Sequence, residues 1–290
     1  LAEFANGEVH CRFSESIRGC DVFIVQTHSG SADASINDSL MEQLIMVDAA
    51  RRASAKRITV VCPAYGYGRQ DRKASGREPI TAKLVANLFK EAGASRLVSV
   101  DLHSGQTQGF FDGPVDHLTA MPVLVERLSS LNGDLTIVSP DAGRVKVAER
   151  YAMTLGAELA IVHKRRSHSS FNTVEAREVV GDVDGRVCIL VDDMIDTAGT
   201  ICSAAEQLSE RGASQIVAAA THGVFSGPAS ERLSASPIEK IIVTDTLPLP
   251  ENMQTDKVEV LSVAPLIAEA IRAVFEDTSV SEIFGGNNLV

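Results

Sequence analysis

Short runs rich in Val and Ile alternate along this chain with stretches in which apolar residues recur every third or fourth position, and Gly, Pro, Asn, Asp and Ser collect between them. An unbroken apolar run marks a buried strand, and a period near 3.6 marks one face of a helix. Strands are expected at Val22–Gln26, Ile58–Cys62, Arg96–Val100, Leu135–Ser139, Leu159–His163, Val187–Val191, Ile216–Ala220 and Ile241–Thr244. Between the first two, Leu40, Met41, Leu44, Ile45 and Val47 share a helical spacing, with Arg51 and Arg52 near the C-terminal end, where cations complement the helix dipole. Further helices are expected over Ile80–Ala92, Ala120–Leu131, Val145–Leu155, Thr200–Arg211 and Pro265–Phe275. Several strands are apolar on both faces and suit parallel sheets covered by helices on each side, so the βα rhythm predicts an α/β chain of doubly wound type. The turn-like Phe111-Asp112-Gly113-Pro114 places a seam at His117–Met121. With 290 residues, against about 150 per domain, two domains are expected, 1–119 and 120–290, with a return of the terminal tail to the first left open.

Composition narrows the function. Lys and Arg total 27 against 38 Asp and Glu, a net charge of −11, so the chain repels phosphate backbones on average. With no Trp and 3 Tyr it also lacks a surface for stacking unpaired bases, and no nucleic-acid partner is expected. No apolar run approaches the roughly 18 residues that cross a bilayer. The N-terminus lacks the basic then apolar profile of a leader, so no membrane partner and a cytoplasmic location are expected. Cys11, Cys20, Cys62, Cys188 and Cys202 are odd in number and lack C-x-x-C spacing, which favours reduced, mostly buried thiols over a disulfide or zinc framework. The chain begins at Leu1 rather than Met, and an upstream segment is expected.

In open α/β sheets ligands bind beyond the carboxyl ends of the strands. Four polar stretches take such places: Asp101-Leu102-His103, Ser139-Pro140-Asp141, His163-Lys164-Arg165-Arg166 and Asp192-Asp193-Met194-Ile195-Asp196. The last continues through Thr197, Ala198, Gly199 and Thr200 into a helix. A loop of Asp, Thr and Gly at a helix N-terminus offers backbone N–H groups and hydroxyls to a phosphate, while the preceding acids can hold sugar hydroxyls. Together these roles describe a phosphorylated pentose. The alternative is that Asp196, Thr197 and Thr200 only cap the helix. Paired acids directly after a buried strand weigh against it, because they are costly without a cation or hydroxyl to receive them. Arg165–Asn172, rich in Ser, Arg and His and without periodicity, reads as a mobile loop.

The run Asp192–Thr200 resembles the 5-phosphoribosyl diphosphate (PRPP) loop shared by phosphoribosyltransferases and ribose-phosphate pyrophosphokinases. Tyr67-Gly68-Arg69-Gln70-Asp71-Arg72-Lys73, Arg77-Glu78-Pro79-Ile80-Thr81-Ala82-Lys83, Asp101-Leu102-His103, Gln108-Gly109-Phe110-Phe111-Asp112 and Thr221-His222-Gly223 resemble the second family, the PRPP synthetases, in their phosphate-regulated class I. The likeness runs from Phe4 to Phe284.

The resemblance implies two doubly wound parallel-sheet domains of phosphoribosyltransferase type, with ATP on the first and ribose 5-phosphate on the second. It implies transfer of the β,γ-diphosphoryl group of ATP to the C1 hydroxyl of ribose 5-phosphate, with release of AMP. Such chemistry is catalysed by positioning and by cations. Lys164 and Arg166 match the family's catalytic cations. Arg69, Gln70, Asp71 and His103 match its ATP-binding residues, joined by Phe4, Asn6 and Glu8 reaching into a neighbouring subunit. Asp192, Asp193, Asp196, Thr197, Ala198, Gly199 and Thr200 match the ribose 5-phosphate site, and His103 and Asp141 the site of Mg²⁺. Ser16, Arg18, Arg77, Ser279 and Ser281 resemble a regulatory site for inorganic phosphate and ADP, and the implied assembly is a homohexamer. After Ser139-Pro140-Asp141 the family's usual second Gly gives way to Arg144, a residue able to contact phosphate. Two other readings stay open. A phosphoribosyltransferase would not need Arg69-Gln70-Asp71, and a catalytically silent regulatory homologue would not need His103, Asp141, Lys164, Arg166 and Asp192–Thr200 together.

Overall fold

The computed structural model describes residues 1–30, 35–165 and 176–284, so Arg166 and the expected loop to Asn172 lie outside the described residues. The chain divides into two compact units, one of Leu1–Thr119 with Val263–Val290 and one of Ala120–Ser262.

In the first unit β1 (Ala2–Glu3) and β2 (Val9–His10) form a short antiparallel hairpin. The core follows as β3 (Asp21–Val25), α1 (Ile36–Arg52), β4 (Arg57–Cys62), α2 (Thr81–Ala92), β5 (Arg96–Val100) and β6 (Val115–Leu118). These strands form one parallel sheet in the order β3-β4-β5-β6. Ser35 starts α1 with a capping box, its hydroxyl accepting from Asp38 N–H while the Asp38 carboxylate accepts from Ser35 N–H at 2.6 Å. The helix buries Val47 and Ala50 against Ile24, Val60 and Cys62, and α2 adds Val85, Ala86 and Phe89. Strand β6 escapes the sequence pattern because Asp116 and His117 interrupt it; Asp116 pairs with Arg96 at 2.5 Å, and His117 Nε2 accepts from Leu102 N–H at 2.7 Å.

The second unit contains α3 (Met121–Leu128), β7 (Leu135–Ser139), α4 (Val145–Leu155), β8 (Glu158–Arg165), β9 (Ala176–Val180), β10 (Val187–Ile195), α5 (Gly199–Glu210), β11 (Gln215–Gly223), α6 (Ala229–Ala235), β12 (Lys240–Thr244) and β13 (Val258–Leu261). Its sheet has the order β13-β12-β11-β10-β7-β8-β9, parallel throughout except for the antiparallel pair β8–β9. From β7 the chain winds outward to β8 and β9, then returns to β10 on the other side of β7 and winds outward again. That reversal is the topological switch point of an α/β sheet. The core beside it is made of Val138, Leu190, Ile201, Leu208, Ala218 and Leu233, among others.

The domain expected to run to residue 290 ends instead at Ser262, because α7 (Ala264–Phe275) and the following tail belong to the first unit. Arg57 Nη1 holds Asp277 at 2.5 Å and the same guanidinium also pairs with Asp21. These partners stand 220 residues apart, a separation that no local pattern encodes. Helix α3 is shorter than expected: the Ser129 and Ser130 hydroxyls donate back to the carbonyls of Glu126 and Arg127, at 2.8 and 2.7 Å, and end it. Among the described residues no helix is long and apolar enough to cross a membrane.

Candidate active site

Strand β7 pairs with β10 only from Leu135 opposite Val187 to Val138 opposite Leu190, whereas β11 accompanies β10 to Ile195 opposite Gly223. Beyond Leu190, β10 therefore has one covered edge and one open edge, and the open edge borders the turn Ser139-Pro140-Asp141. Asp192 and Asp193, expected just after the strand, stand inside it, because pairing with β11 carries β10 onward. Arg144, in the turn that follows Asp141, reaches both acids, its Nε 3.2 Å from Asp192 Oδ1 and its Nη2 2.6 Å from Asp193 Oδ1. Neighbouring residues of a strand point to opposite faces, so one guanidinium meets both by lying across the uncovered edge. Arg144, read from the sequence as able to contact phosphate, is paired here with the two acids. Two adjacent buried carboxylates demanded such a cation, and that demand was the signal in the sequence. Burial and the Asp193 charge push the Asp192 carboxyl up, and Arg144 pulls it back.

Asp141 is exposed at the carboxyl end of β7, with Oδ1 accepting from Gly143 N–H at 2.7 Å. Beyond β10, Ala198 occupies the N-cap position of α5 at φ +59°, a left-handed conformation that costs a non-glycine residue on the order of 1–2 kcal/mol. Alanine has no side-chain acceptor, so the N-cap residue itself makes no side-chain cap. The Asp196 carboxylate accepts from the Ser226 hydroxyl, and Arg232 Nη1 donates to Thr197 O at 2.9 Å. Sequence reading missed Arg232, on α6. Its guanidinium also comes 3.2 Å from where a Cβ on Gly199 would stand, so glycine there lets loop and arginine close.

Lys164 lies inside β8, opposite Arg177 of β9, rather than after a strand ending at His163. The antiparallel partner extends β8 beyond its apolar stretch. Arg166 is outside the described residues.

In the first unit the loop after β4 brings Gly68 beside His103, a Cβ on that glycine falling 3.8 Å from His103 Cβ. Gln70 N–H donates to Tyr67 O at 2.9 Å, and Gln70 Oε1 accepts from the Thr81 hydroxyl at 2.5 Å, tying the stretch Arg69-Gln70-Asp71 to the start of α2. Asp101, just before Leu102 and His103, holds φ +41°. Strained backbone of this kind clusters at ligand sites. Phe4, Asn6 and Glu8 form the tip of the β1–β2 hairpin, where Phe4 is 56% exposed and Glu8 N–H donates to Asn6 Oδ1 at 3.2 Å. Ser16, Arg18, Arg77, Ser279 and Ser281 all belong to the first unit. Ser279 and Ser281 share a hydrogen bond of 2.7 Å. Among the described residues no hydrogen bond or ion pair joins Arg18 or Arg77 to that tail.

A parallel sheet whose winding reverses beside two clamped acids, with a helix opening on a left-handed residue, defines a doubly wound α/β protein with a ligand site at its switch point. Residues 1–93 match the family described as the N-terminal domain of ribose phosphate pyrophosphokinase, and residues 173–285 match the phosphoribosyl synthetase-associated domain. The ribose-phosphate pyrophosphokinase of Streptomyces avermitilis is 57% identical over 284 residues, covering 97% of this chain and 86% of that protein. The Mycobacterium tuberculosis enzyme is 53% identical over 288 residues, covering 98% of this chain and 87% of its own. The crystal structure of phosphoribosylpyrophosphate synthetase from Mycobacterium smegmatis matches with a TM-score of 0.88 and 53% identity, over 95% of this chain and 89% of that one. The chain belongs to the ribose-phosphate pyrophosphokinase family.

Proposed function

We propose that PRPP synthesis by this chain divides its labour between nucleotide-holding residues of the first unit and sugar-holding residues of the second. The observation that carries the assignment is the run Asp192–Thr200 at the sheet's winding reversal, with acids turned to an open strand edge and α5 starting on an uncapped left-handed alanine. The α5 N-terminus, Thr197 and Thr200 receive the 5-phosphate, and Asp192 and Asp193 accept hydrogen bonds from ribose hydroxyls. Those hydroxyls are neutral donors, so Arg144 keeps its charge partners while the sugar is bound. The C1 hydroxyl oxygen then forms its bond to the β-phosphorus of ATP and gives up its proton to solvent, the bond from that phosphorus to the α–β bridging oxygen breaks, and AMP leaves.

Arg69 forks onto the polyphosphate and Gln70 and Asp71 hold the nucleotide. Lys164 and Arg166 neutralise charge on the group in transit. Among the described residues no cluster of three or more His, Cys, Asp or Glu forms a metal cage. Mg²⁺ asks for little, keeping several waters and taking one or two protein ligands beside substrate phosphates. Exposed Asp141 in the second unit and the strand-end His103 in the first each fit that sparse demand as a single ligand, and an ion bound at either would supply charge neutralisation at phosphate oxygens. The five free cysteines fit a reducing cytoplasm.

Thr200→Val tests the sugar half. Losing one hydrogen bond to a charged phosphate is expected to raise the KM for ribose 5-phosphate about tenfold and to leave that for ATP unchanged. An equal rise for both substrates would remove Thr200 from the sugar site. The regulatory reading assigns Ser16, Arg18, Arg77, Ser279 and Ser281 to inorganic phosphate and ADP, and the exposed hairpin tip of Phe4 to contact with another copy in a hexamer. Arg18→Ala is then expected to lose most phosphate activation while its phosphate-independent turnover stays intact; an enzyme fully active without phosphate would refute it. The decisive assay for the whole proposal is AMP formation from ATP that requires ribose 5-phosphate and Mg²⁺. No AMP under any phosphate concentration would make the chain a silent homologue.

A further inference from the structure

Three polar side chains are sealed beneath the loop that follows β4: His28 is 4% exposed, and Gln43 and Cys62 are 0% exposed. Buried polar groups are kept only when satisfied, and these satisfy one another. Gln43 Nε2 donates to the carbonyls of Ile24 and Val61 at 2.9 and 3.2 Å, and its Oε1 accepts from the Cys62 thiol at 3.2 Å and from His28 Nε2 at 2.9 Å. The other ring nitrogen, His28 Nδ1, accepts from Gly66 N–H at 2.8 Å. With one nitrogen accepting from a backbone N–H, the proton must sit on Nε2, so the network sets the tautomer. Burial holds the imidazole neutral, its pKa lowered to about 4. The ring stacks on Phe89 at 5.8 Å with a 9° interplanar angle, which leaves it one orientation.

The same segment zips the two loops together by backbone. His28 N–H donates to Ala64 O at 3.1 Å, and Ala64 N–H donates to Thr27 Oγ1 at 3.2 Å. A Cβ on Gly66 would stand 3.0 Å from both His28 Cβ and Nδ1, so any larger residue would press the loop and the ring apart by a few tenths of an ångström. One residue on, Tyr67 takes φ +60°, and the chain enters Gly68-Arg69-Gln70-Asp71.

We propose that His28 is a positioning residue for the nucleotide loop, fixing Gly66 through Nδ1 and thereby the direction in which Tyr67–Asp71 leave the sheet. This rests on the assignment of Arg69-Gln70-Asp71 to ATP. The test is the pair H28N and H28Q, with KM for each substrate, kcat and thermal stability measured on the full chain. Asparagine places an amide oxygen near the position of Nδ1 and keeps the acceptor for Gly66; glutamine reaches toward Nε2 and loses it. Both lose the ring and its stack on Phe89, so both are expected to lower the melting temperature similarly. H28Q is expected to raise the KM for ATP about tenfold while H28N stays within about threefold, with the KM for ribose 5-phosphate unchanged in both. G66A, which attacks the contact from the loop side, is expected to behave as H28Q. Equal ATP effects in H28N and H28Q, or parallel losses for both substrates, would reduce His28 to packing and overturn the proposal. R69A separates the two levels: if it leaves the KM for ATP unchanged, the nucleotide assignment has failed, whereas a raised KM in R69A beside an unchanged one in H28Q and G66A overturns His28 alone.

Discussion

Lys164→Ala and Arg166→Ala are each expected to lower kcat by about 10²- to 10³-fold while the KM for ATP changes little. The reason is timing. A cation that meets the diphosphoryl group only as charge redistributes during transfer stabilises the transition state more than the bound substrate, so its loss appears in kcat. Lys164 stands on β8, which runs parallel to β7 and shares its carboxyl edge. Initial rates of AMP formation at saturating ATP and ribose 5-phosphate check the expectation. Near-normal turnover in both variants would return these residues to the solvated surface.

Arg144→Leu is expected to cost about 2–4 kcal/mol of folding stability at pH 8 and distinctly less at pH 5.5. The removed guanidinium is the cation shared by Asp192 and Asp193, and the three side chains are 17%, 19% and 7% exposed for Arg144, Asp192 and Asp193. Desolvation and the neighbouring carboxylate raise Asp192 from its ordinary 3.8 to about 8. Between those values the folded chain holds a proton that the unfolded chain has released, so stability falls as pH rises through that window. Arg144 restrains the fall by favouring the charged form, and without it the penalty on the alkaline side grows. Urea denaturation of both proteins at the two pH values, without substrate, measures the difference. A loss equal at pH 5.5 and pH 8 would mean that Arg144 contributes packing and no charge compensation.

The central strands of both sheets and the position of Asp192–Thr200 at a strand-to-helix junction were legible in the order of residues alone. Their cause is local: a strand buried on both faces has to be an apolar run, a helix has to repeat near 3.6, and a phosphate loop has to combine acids, hydroxyls and glycine over adjacent positions. Strands β6, β9 and β13 were not legible, because each takes its place from a neighbour's unpaired edge rather than from its own apolar pattern. The same dependence on partners carried β10 through the two acids and β8 through Lys164. The segment with α7 joins the first unit, where Asp277 just beyond the helix pairs with Arg57. Arg144, Arg232 and His28 acquire their roles only in three dimensions, since each binds atoms that lie elsewhere in the chain. Backbone geometry over a few residues is written in the sequence directly. Which charge meets which acid is decided when strands from distant segments leave an edge open and something must cover it.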